Sequence, residues 1–355
     1  GGGSQRAGIF RRKHMKKHVN IPVFIPHLGC PNMCVFCNQR RISGTVQYSR
    51  DDVVKTIEEA LATVSPEQEA QIAFFGGSFT GIDRDEMIYL LETGYGYVKS
   101  GRVSSIRLST RPDYIDTEIL DILSRYGVKT IELGLQSMSD RVLAACKRGH
   151  TAQTGREACR MIKERGFELI GQMMIGLPCS TEDDEIYTAH EICALGAHGA
   201  RIYPTVVFLD TELADMAQRG EYKPLSVDEA VRRSALALEL FADAGVRVIR
   251  IGLQASETLV AGNGIYGASE YHEAMGELCY GELFRRRIDA AMQGGDYRGK
   301  RIKISVSPSS VSRAVGLRAA NKDYFMQKYG LRGIKISADA EKTEFDFGIS
   351  LEEGE

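Results

Sequence analysis

The chain has 355 residues, 43% of them hydrophobic and 26% charged, which suffices for one large core or for one core with a smaller domain. This composition excludes a largely disordered polypeptide. The formal net charge of −2 excludes a uniformly basic protein, and no apolar run approaches the roughly 18 residues that span a bilayer. Because eight cysteines occur without a secretory signal, we expect a reducing, cytoplasmic setting and no membrane partner.

The first 14 residues, GGGSQRAGIFRRKH, are interpreted as an added, non-native segment before a natural start at Met15. From residue 18 onward, short β-rich runs alternate with helical patterns. The predicted strands are 18–26, 71–77, 104–110, 128–135, 167–177, 199–208 and 246–253. The predicted helices are 51–64, 83–98, 117–126, 154–166, 181–196 and 226–245. The strands are largely apolar, so both sheet faces must be covered, which predicts an α/β barrel or a doubly wound sheet.

Unusual loops follow the first five predicted strands. A three-cysteine loop follows the first, FGGSFTG the second and STRPD the third, while LGLQS closes the fourth and IGLP the fifth. Chemistry in both architectures lies just beyond the carboxyl ends of the strands. The five loops are therefore expected on one rim of the sheet.

The pattern changes after about residue 255. RGKRIKISVSP predicts a strand, SSVSRAVGLRAANKDYFMQKYG two helices joined near Gly316, and LRGIKISAD another strand. Residues 256–355 are thus expected to form a small α+β appendage. Within it, residues 281–335 hold 13 basic and 4 acidic residues. Such a local basic field indicates a polyanionic partner, although a solvated surface is the alternative for any single side chain.

The loop HLGCPNMCVFCNQ holds Cys30, Cys34 and Cys37 with the spacing C-x3-C-x2-C. A disulfide is disfavoured, because three cysteines cannot pair among themselves. A zinc site completed by His27 is one alternative. The other is an iron–sulfur cluster that is one protein ligand short and keeps an iron open to an external molecule. The remaining cysteines are expected to be small core residues: Cys146, Cys159, Cys179, Cys193 and Cys279.

This cysteine motif after the first strand of an α/β barrel resembles the radical S-adenosylmethionine (SAM) superfamily. The resemblance implies a partial (β/α)6-type barrel over residues 15–255, and a four-iron four-sulfur (4Fe–4S) cluster held by the three cysteines, with SAM on the fourth iron. His27 then becomes a neighbouring or structural residue. The motif positions that match the family's SAM contacts are Phe36, Gly76, Gly77, Ser109, Thr110, Arg111, Gln136, Arg148 and Ile175. FGGSFTG departs from the family where many members carry an acidic third residue.

The resemblance also implies a mechanism. An electron donor such as flavodoxin or ferredoxin reduces the cluster, the electron passes to the SAM sulfonium, and the S–C5′ bond breaks. The resulting 5′-deoxyadenosyl radical abstracts hydrogen from a substrate. The barrel then has to position the reactants and exclude water.

Several segments together resemble the Elongator catalytic-subunit-like branch, which modifies wobble uridine in tRNA: IPVFIPHLGCPNMCVFCNQ, FFGGSFTG, STRPDYI, ELGLQSMSDRVL, KRGHT and GLP. The chain is expected to lack that branch's acetyltransferase domain. VGLRAANKDYFMQKYGLRGIKI is reminiscent of a KH-type RNA-binding fold. The expected RNA contacts are Arg285, Arg286, Arg287, Lys300, Arg301, Arg318 and Lys322.

Three functions are therefore open. The first is a radical SAM transferase that modifies RNA, and the second is a radical SAM enzyme acting on a small anionic molecule, as in coproporphyrinogen-dehydrogenase-like relatives. The third is a metal-stabilised RNA-binding protein without catalysis.

Overall fold

The computed structural model describes residues 17–25, 30, 34–38, 49–253, 260–261, 264–267 and 272–352. The interpretation of residues 1–14, the proposed start at Met15 and the role of His27 lie outside the described residues. In the part of the chain that is described, no helix is long and apolar enough to cross a membrane.

A seven-stranded sheet forms the larger part of the molecule. Its strands are β1 (Lys17–Phe24), β2 (Gln68–Phe75), β3 (Ser105–Thr110), β4 (Val128–Gln136), β5 (Glu168–Ile175), β6 (Gly199–Pro204) and β7 (Arg247–Ile251). All neighbours run parallel, and their spatial order is their order in the chain. The predicted partial barrel is thus confirmed, and the seventh predicted run extends its wall beyond six strands.

Helices connect successive strands. They are α1 (Arg50–Leu61), α2 (Arg84–Lys99), α3 (Thr117–Arg125), α4 (Asp140–Ala145), α5 (Ala152–Glu164), α6 (Glu182–Ala194), α7 (Glu212–Gln218) and α8 (Val227–Asp243). Side-chain caps fix several starts: Asp83 accepts from the first turn of α2, and Thr181 forms a capping box with Asp184 on α6. The two short helices α4 and α7 were not predicted, because six or seven residues give too little periodicity.

The sheet and its helices share one apolar core, as the unbroken apolar strands predicted. Of the five cysteines outside the loop, Cys146, Cys159 and Cys279 are buried and Cys193 is half-buried. The prediction was wrong for Cys179, which is exposed. This residue lies in the turn after β5, beyond the strand that packs in the core, and has a positive φ of 62°.

The C-terminal unit is a three-stranded mixed sheet with helices against one face. Its strands are β10 (Arg301–Val306), β11 (Gly333–Ala338) and β12 (Phe347–Leu351), and the short pair β8 (Val260–Ala261) and β9 (Gly264–Ile265) precedes them. Strand β10 lies between a parallel β11 and an antiparallel β12. The helices α10 (Val311–Val315) and α11 (Ala320–Tyr329) connect β10 to β11, in the predicted strand–helix–helix–strand order.

Helix α9 (Met275–Met292) joins the two parts, and it was not predicted. Its first half places Met275 and Cys279 in the core of the large sheet. Its second half places Phe284 and Ile288 in the core of the small sheet. Because these apolar residues serve two cores, they do not form the single stripe by which an amphipathic helix is recognised.

Candidate functional site

A cavity of about 630 Å³ opens at the carboxyl ends of the strands. Eleven of the twelve residues that the sequence assigned to the cluster and to SAM line it: Cys30, Cys34, Phe36, Cys37, Gly76, Gly77, Ser109, Thr110, Arg111, Gln136 and Arg148. These residues come from the ends of four different strands, β1 to β4, so the parallel topology gathers them as expected. Ile175 is the exception. It is fully buried beside the cavity, and its carbonyl accepts hydrogen bonds from the amide and hydroxyl of Thr205.

Two arginines approach the buried thiol of Cys34. Arg148 Nη1 lies 3.5 Å from Cys34 Sγ, and Arg111 Nη1 lies 4.0 Å from it. Arg111 is fixed by a bidentate pair with Asp113 at 2.9 Å and donates to the carbonyl of Arg148 at 2.6 Å. Both guanidinium groups therefore lie within contact distance of one candidate cluster ligand.

Burial changes the pKa of Cys30, the first cysteine of the loop. Burial raises the pKa of the Cys30 thiol, although Arg111 and Arg148 oppose the shift. The protein alone therefore holds Cys30 largely protonated, and metal ligation has to supply the remaining stabilisation of its thiolate.

The loop after β2 brings backbone close to β1. Gly76 has a φ of 93°, and a Cβ on it would lie 2.9 Å from the carbonyl oxygen of Ile25. Only glycine fits both the conformation and the space. The hydroxyl of Thr110 is hydrogen-bonded to Ser78 Oγ at 2.8 Å and to Thr80 Oγ1 at 2.6 Å. This residue thus fastens the loops after β2 and β3 together.

Two buried polar atoms in the cavity wall have no partner among the described residues. They are Gln136 Oε1 and Arg148 Nε. Gln136 has a positive φ of 66°, and Arg148 is anchored through Nη2 to the carbonyl of Gly134 at 2.7 Å. Buried polar atoms are normally satisfied, so these two indicate a polar ligand in the cavity.

Comparison with known proteins decides the family. Residues 24–192 match the Radical SAM superfamily, and residues 197–279 match the Radical_SAM C-terminal domain. The chain belongs to the radical SAM superfamily. It is 28% identical over 239 residues to an uncharacterized protein of Methanocaldococcus jannaschii, a match that covers 63% of this chain and 72% of the relative.

Relatives of this radical SAM chain also include tRNA-modifying enzymes. It is 30% identical over 182 residues to the tRNA uridine(34) acetyltransferase of Methanocaldococcus jannaschii, over 50% of this chain but only 32% of that protein. The solved structure of Methanocaldococcus infernus Elp3 has a similar fold, with a TM-score of 0.61 and 21% identity over 77% of this chain and 64% of that one. The radical SAM recognition is confirmed, and so is the likeness to the Elongator branch.

Members of the superfamily use a 4Fe–4S cluster and SAM, and the residues present fit both. Three thiols, the close Gly76 backbone and two unsatisfied polar atoms line one cavity. Among the described residues, no group of three His, Cys, Asp or Glu side chains converges closely enough to hold a single metal ion. The superfamily's 4Fe–4S cluster is therefore the group that the three thiols would hold.

The predicted RNA contacts lie elsewhere, around the small sheet, and they divide into two groups. Arg285 pairs with Glu282, Arg286 and Arg287 with Glu239, and Lys300 with Asp296. The second group comprises Arg301, Arg318 and Lys322, whose side chains make no hydrogen bond or ion pair with the described residues. The role of both groups in RNA binding stays a prediction.

Charged residues inside the barrel were missed. The carboxylate of Glu132 is fully buried between Arg107 and Arg201, and Arg250 lines the same cavity from β7. A signal for them exists in the sequence. Each of the first three occupies the middle of an apolar strand that helices cover, where an unpaired charge would be strongly destabilising.

Proposed function

We propose that this protein is a radical SAM enzyme that reductively cleaves SAM to a 5′-deoxyadenosyl radical and uses it to modify RNA of the tRNA type. The single observation that carries the proposal is the cavity. It combines the three loop thiols with predicted SAM-contact residues at the ends of three further strands, β2, β3 and β4. The tRNA substrate of the acetyltransferase relatives supports RNA as the substrate class.

In this proposal, the residues of the chain bind the cluster, orient SAM and shield the reactive carbon from water. Cys30, Cys34 and Cys37 would hold the cluster, and Arg111 and Arg148 would offset the negative charge of the thiolates. The Gly76 backbone and Gln136 Oε1 would orient SAM through hydrogen bonds. The apolar rings in the wall, among them Phe36 and Phe75, would exclude water from the reactive carbon.

The C-terminal unit would provide RNA affinity. Its strand–helix–helix–strand order supports the proposed KH-like interpretation. The turn between α10 and α11 holds Gly316, Arg318 and Ala319 at positive φ, which exposes backbone and the Arg318 side chain to solvent. A phosphate backbone could be clamped there, as at the glycine-containing turn of KH domains.

Two measurements test the catalytic part of the proposal. Anaerobically reconstituted protein, reduced with dithionite, is expected to release 5′-deoxyadenosine from SAM, and a triple variant of the loop cysteines is not. Mass spectrometry of cellular tRNA with and without the gene is expected to show one missing modified nucleoside. Absence of 5′-deoxyadenosine would remove the radical chemistry. An unchanged nucleoside profile would instead favour a small anionic substrate.

A third measurement tests RNA binding. The affinity for tRNA is expected to fall steeply with salt, because phosphate contacts release counterions. Replacing Arg318 and Lys322 by Gln should weaken binding at every salt concentration and reduce the slope by about two. The control is Arg219→Gln on the barrel, since Arg219 is an exposed arginine that pairs with Glu221 and is not among the predicted RNA contacts. Equal effects of both variants would contradict the assignment of the Gly316 turn.

A further inference from the structure

The wall of the cavity opposite the cysteines is built around a buried ion triad. Glu132 on β4 is fully buried, and its carboxylate lies between two guanidinium groups. Arg201 Nε lies 2.7 Å from Glu132 Oε2 and Arg201 Nη2 donates to Oε1 at 3.0 Å, while Arg107 Nε is 3.4 Å from Oε1. One carboxylate between two arginines leaves one positive charge in excess inside the barrel.

Arg201 lines the cavity and keeps one donor that is only weakly engaged. Its Nε and Nη2 are engaged by Glu132, but its Nη1 has only a long 3.5 Å contact with the hydroxyl of Tyr203. The side chain is 9% exposed, and its guanidinium lies 5.6 Å from the centre of the Phe75 ring. The triad and this ring therefore hold Arg201 in one orientation, and its Nη1 keeps hydrogen-bonding capacity for a ligand.

A second arginine stands beside it. Arg250 on β7 is in direct register with Arg201 on β6, and both line the cavity. The side chain of Arg250 is exposed and makes neither a hydrogen bond nor an ion pair with any described residue. Like charges directly opposite each other on neighbouring strands repel. The charged groups facing this wall are Arg107, Glu132, Arg201 and Arg250, with Glu168 and Arg247 nearer the amino ends of the strands. They sum to two positive charges without a counterion.

We propose that Arg201 and Arg250 form an oxyanion-binding end of the cavity, which takes a phosphate or carboxylate group of the molecule to be modified. Arg201 supplies a fixed donor, and Arg250 supplies a free guanidinium fork that matches a planar or tetrahedral oxyanion. This inference rests on the proposed function, because it requires that the cavity receives a substrate. It adds that an anionic group at one end of that substrate binds to the two arginines. Neither arginine belongs to the group that contacts the cysteine loop.

The experiment measures binding rather than turnover. Equilibrium dialysis of the reconstituted full chain compares two matched ligand pairs: uridine 5′-monophosphate against uridine, and succinate against succinamide. The wild type is expected to prefer the anionic member of at least one pair by about tenfold or more, the scale of a charged hydrogen bond. The pair that shows the preference identifies a phosphate or a carboxylate as the group bound.

Three variants test whether Arg250 causes this preference. Arg250→Gln should abolish the preference, and Arg250→Lys should retain part of it, since the charge remains but the fork is lost. Arg247→Gln is the matched control, because it removes the same charge from the same strand at an exposed position that does not line the cavity. It should behave as the wild type.

The proposal is overturned by any of three results. These are a wild type without preference for either anion, a preference that survives in Arg250→Gln, and an equal loss in Arg247→Gln. It is also overturned if Arg250→Gln weakens SAM binding and leaves both ligand pairs unaffected, because the arginine would then serve the cofactor. Failure of the RNA-modification proposal is distinguishable, since an unchanged tRNA nucleoside profile would leave these binding results as they are.

Discussion

Arg148 places a guanidinium nitrogen 3.5 Å from the sulfur of Cys34, a residue 114 positions earlier in the chain. The same side chain donates to the carbonyl of Gly134 at 2.7 Å and keeps its Nε without a partner among the described residues. One arginine thus links the cysteine loop, the end of β4 and the open cavity. We expect it both to offset thiolate charge and to bind the carboxylate of SAM.

Replacing this arginine should therefore affect both ligands. Arg148→Gln is expected to weaken SAM binding by about tenfold or more, since a hydrogen bond to a charged group contributes about 1.5–3 kcal/mol. Equilibrium dialysis with SAM, together with iron content per chain, measures the effect. Lys147→Gln is the control, because Lys147 is exposed and pairs with Glu212. Equal losses in the two variants would show that the effect is not local.

Replacing the three loop cysteines should have effects that replacing the other cysteines does not. Alanine at Cys30, Cys34 or Cys37 is expected to abolish the brown colour, the bound iron and SAM cleavage, because a cluster with two protein ligands is not retained. Cys179→Ala is the control, since Cys179 is an exposed thiol outside the cavity. Iron retention in any of the three loop variants would contradict the ligand assignment.

The close backbone approach at Gly76 predicts a steric effect. In Gly76→Ala, the new methyl group would lie 2.9 Å from the carbonyl of Ile25 in a conformation with φ 93°. We expect loss of SAM binding and a fall in the free energy of unfolding of about 2 kcal/mol. Gly101→Ala separates the two causes, because Gly101 also has a positive φ, of 73°, but nothing lies within 4 Å of its Cβ position. That variant should lose stability without losing SAM affinity.

The sequence predicted most of the barrel because strand and helix periods, apolar strands and glycine ends all agree there. It predicted the cavity because parallel strands bring their carboxyl ends to one edge, so that Gly76 and Arg148 line the same cavity although they are 72 positions apart. Helix α9 escaped prediction because it faces two cores. The triad around Glu132 escaped because its partners come from β3 and β6, and pairing across strands is set by topology.

Glu132 should be essential for folding as well as for shaping the cavity. Glu132→Gln leaves Arg107 and Arg201 buried without a counterion, and such a loss typically costs about 3–5 kcal/mol. Urea unfolding measures the change. The double variant Glu132→Gln with Arg107→Met should recover part of it, because one uncompensated charge is removed. Glu168→Gln, at an exposed carboxylate on the neighbouring strand, is the control. A stable single variant would contradict the assigned role of the triad.

His150 predicts a pH dependence of stability. Its ring is buried beside Arg148, and burial followed by the charge of that arginine lowers its pKa from 6.5 to about 4. Between pH 6.5 and pH 4 the unfolded chain therefore binds a proton at His150 that the folded protein does not bind. The free energy of unfolding therefore falls as the pH decreases from 6.5 towards 4. The loss amounts to about 3 kcal/mol at most, at 1.36 kcal/mol per pKa unit.

The measurement is the difference between two unfolding series. Urea midpoints of the wild type and of His150→Gln are compared at intervals from pH 7.5 to pH 4. Because glutamine does not titrate, the variant should lose less stability over this range, and the gap between the two curves should close as the pH falls. His190→Gln, at an exposed histidine, serves as the control and should run parallel to the wild type. Parallel curves for wild type and His150→Gln would show that the buried ring does not govern acid stability.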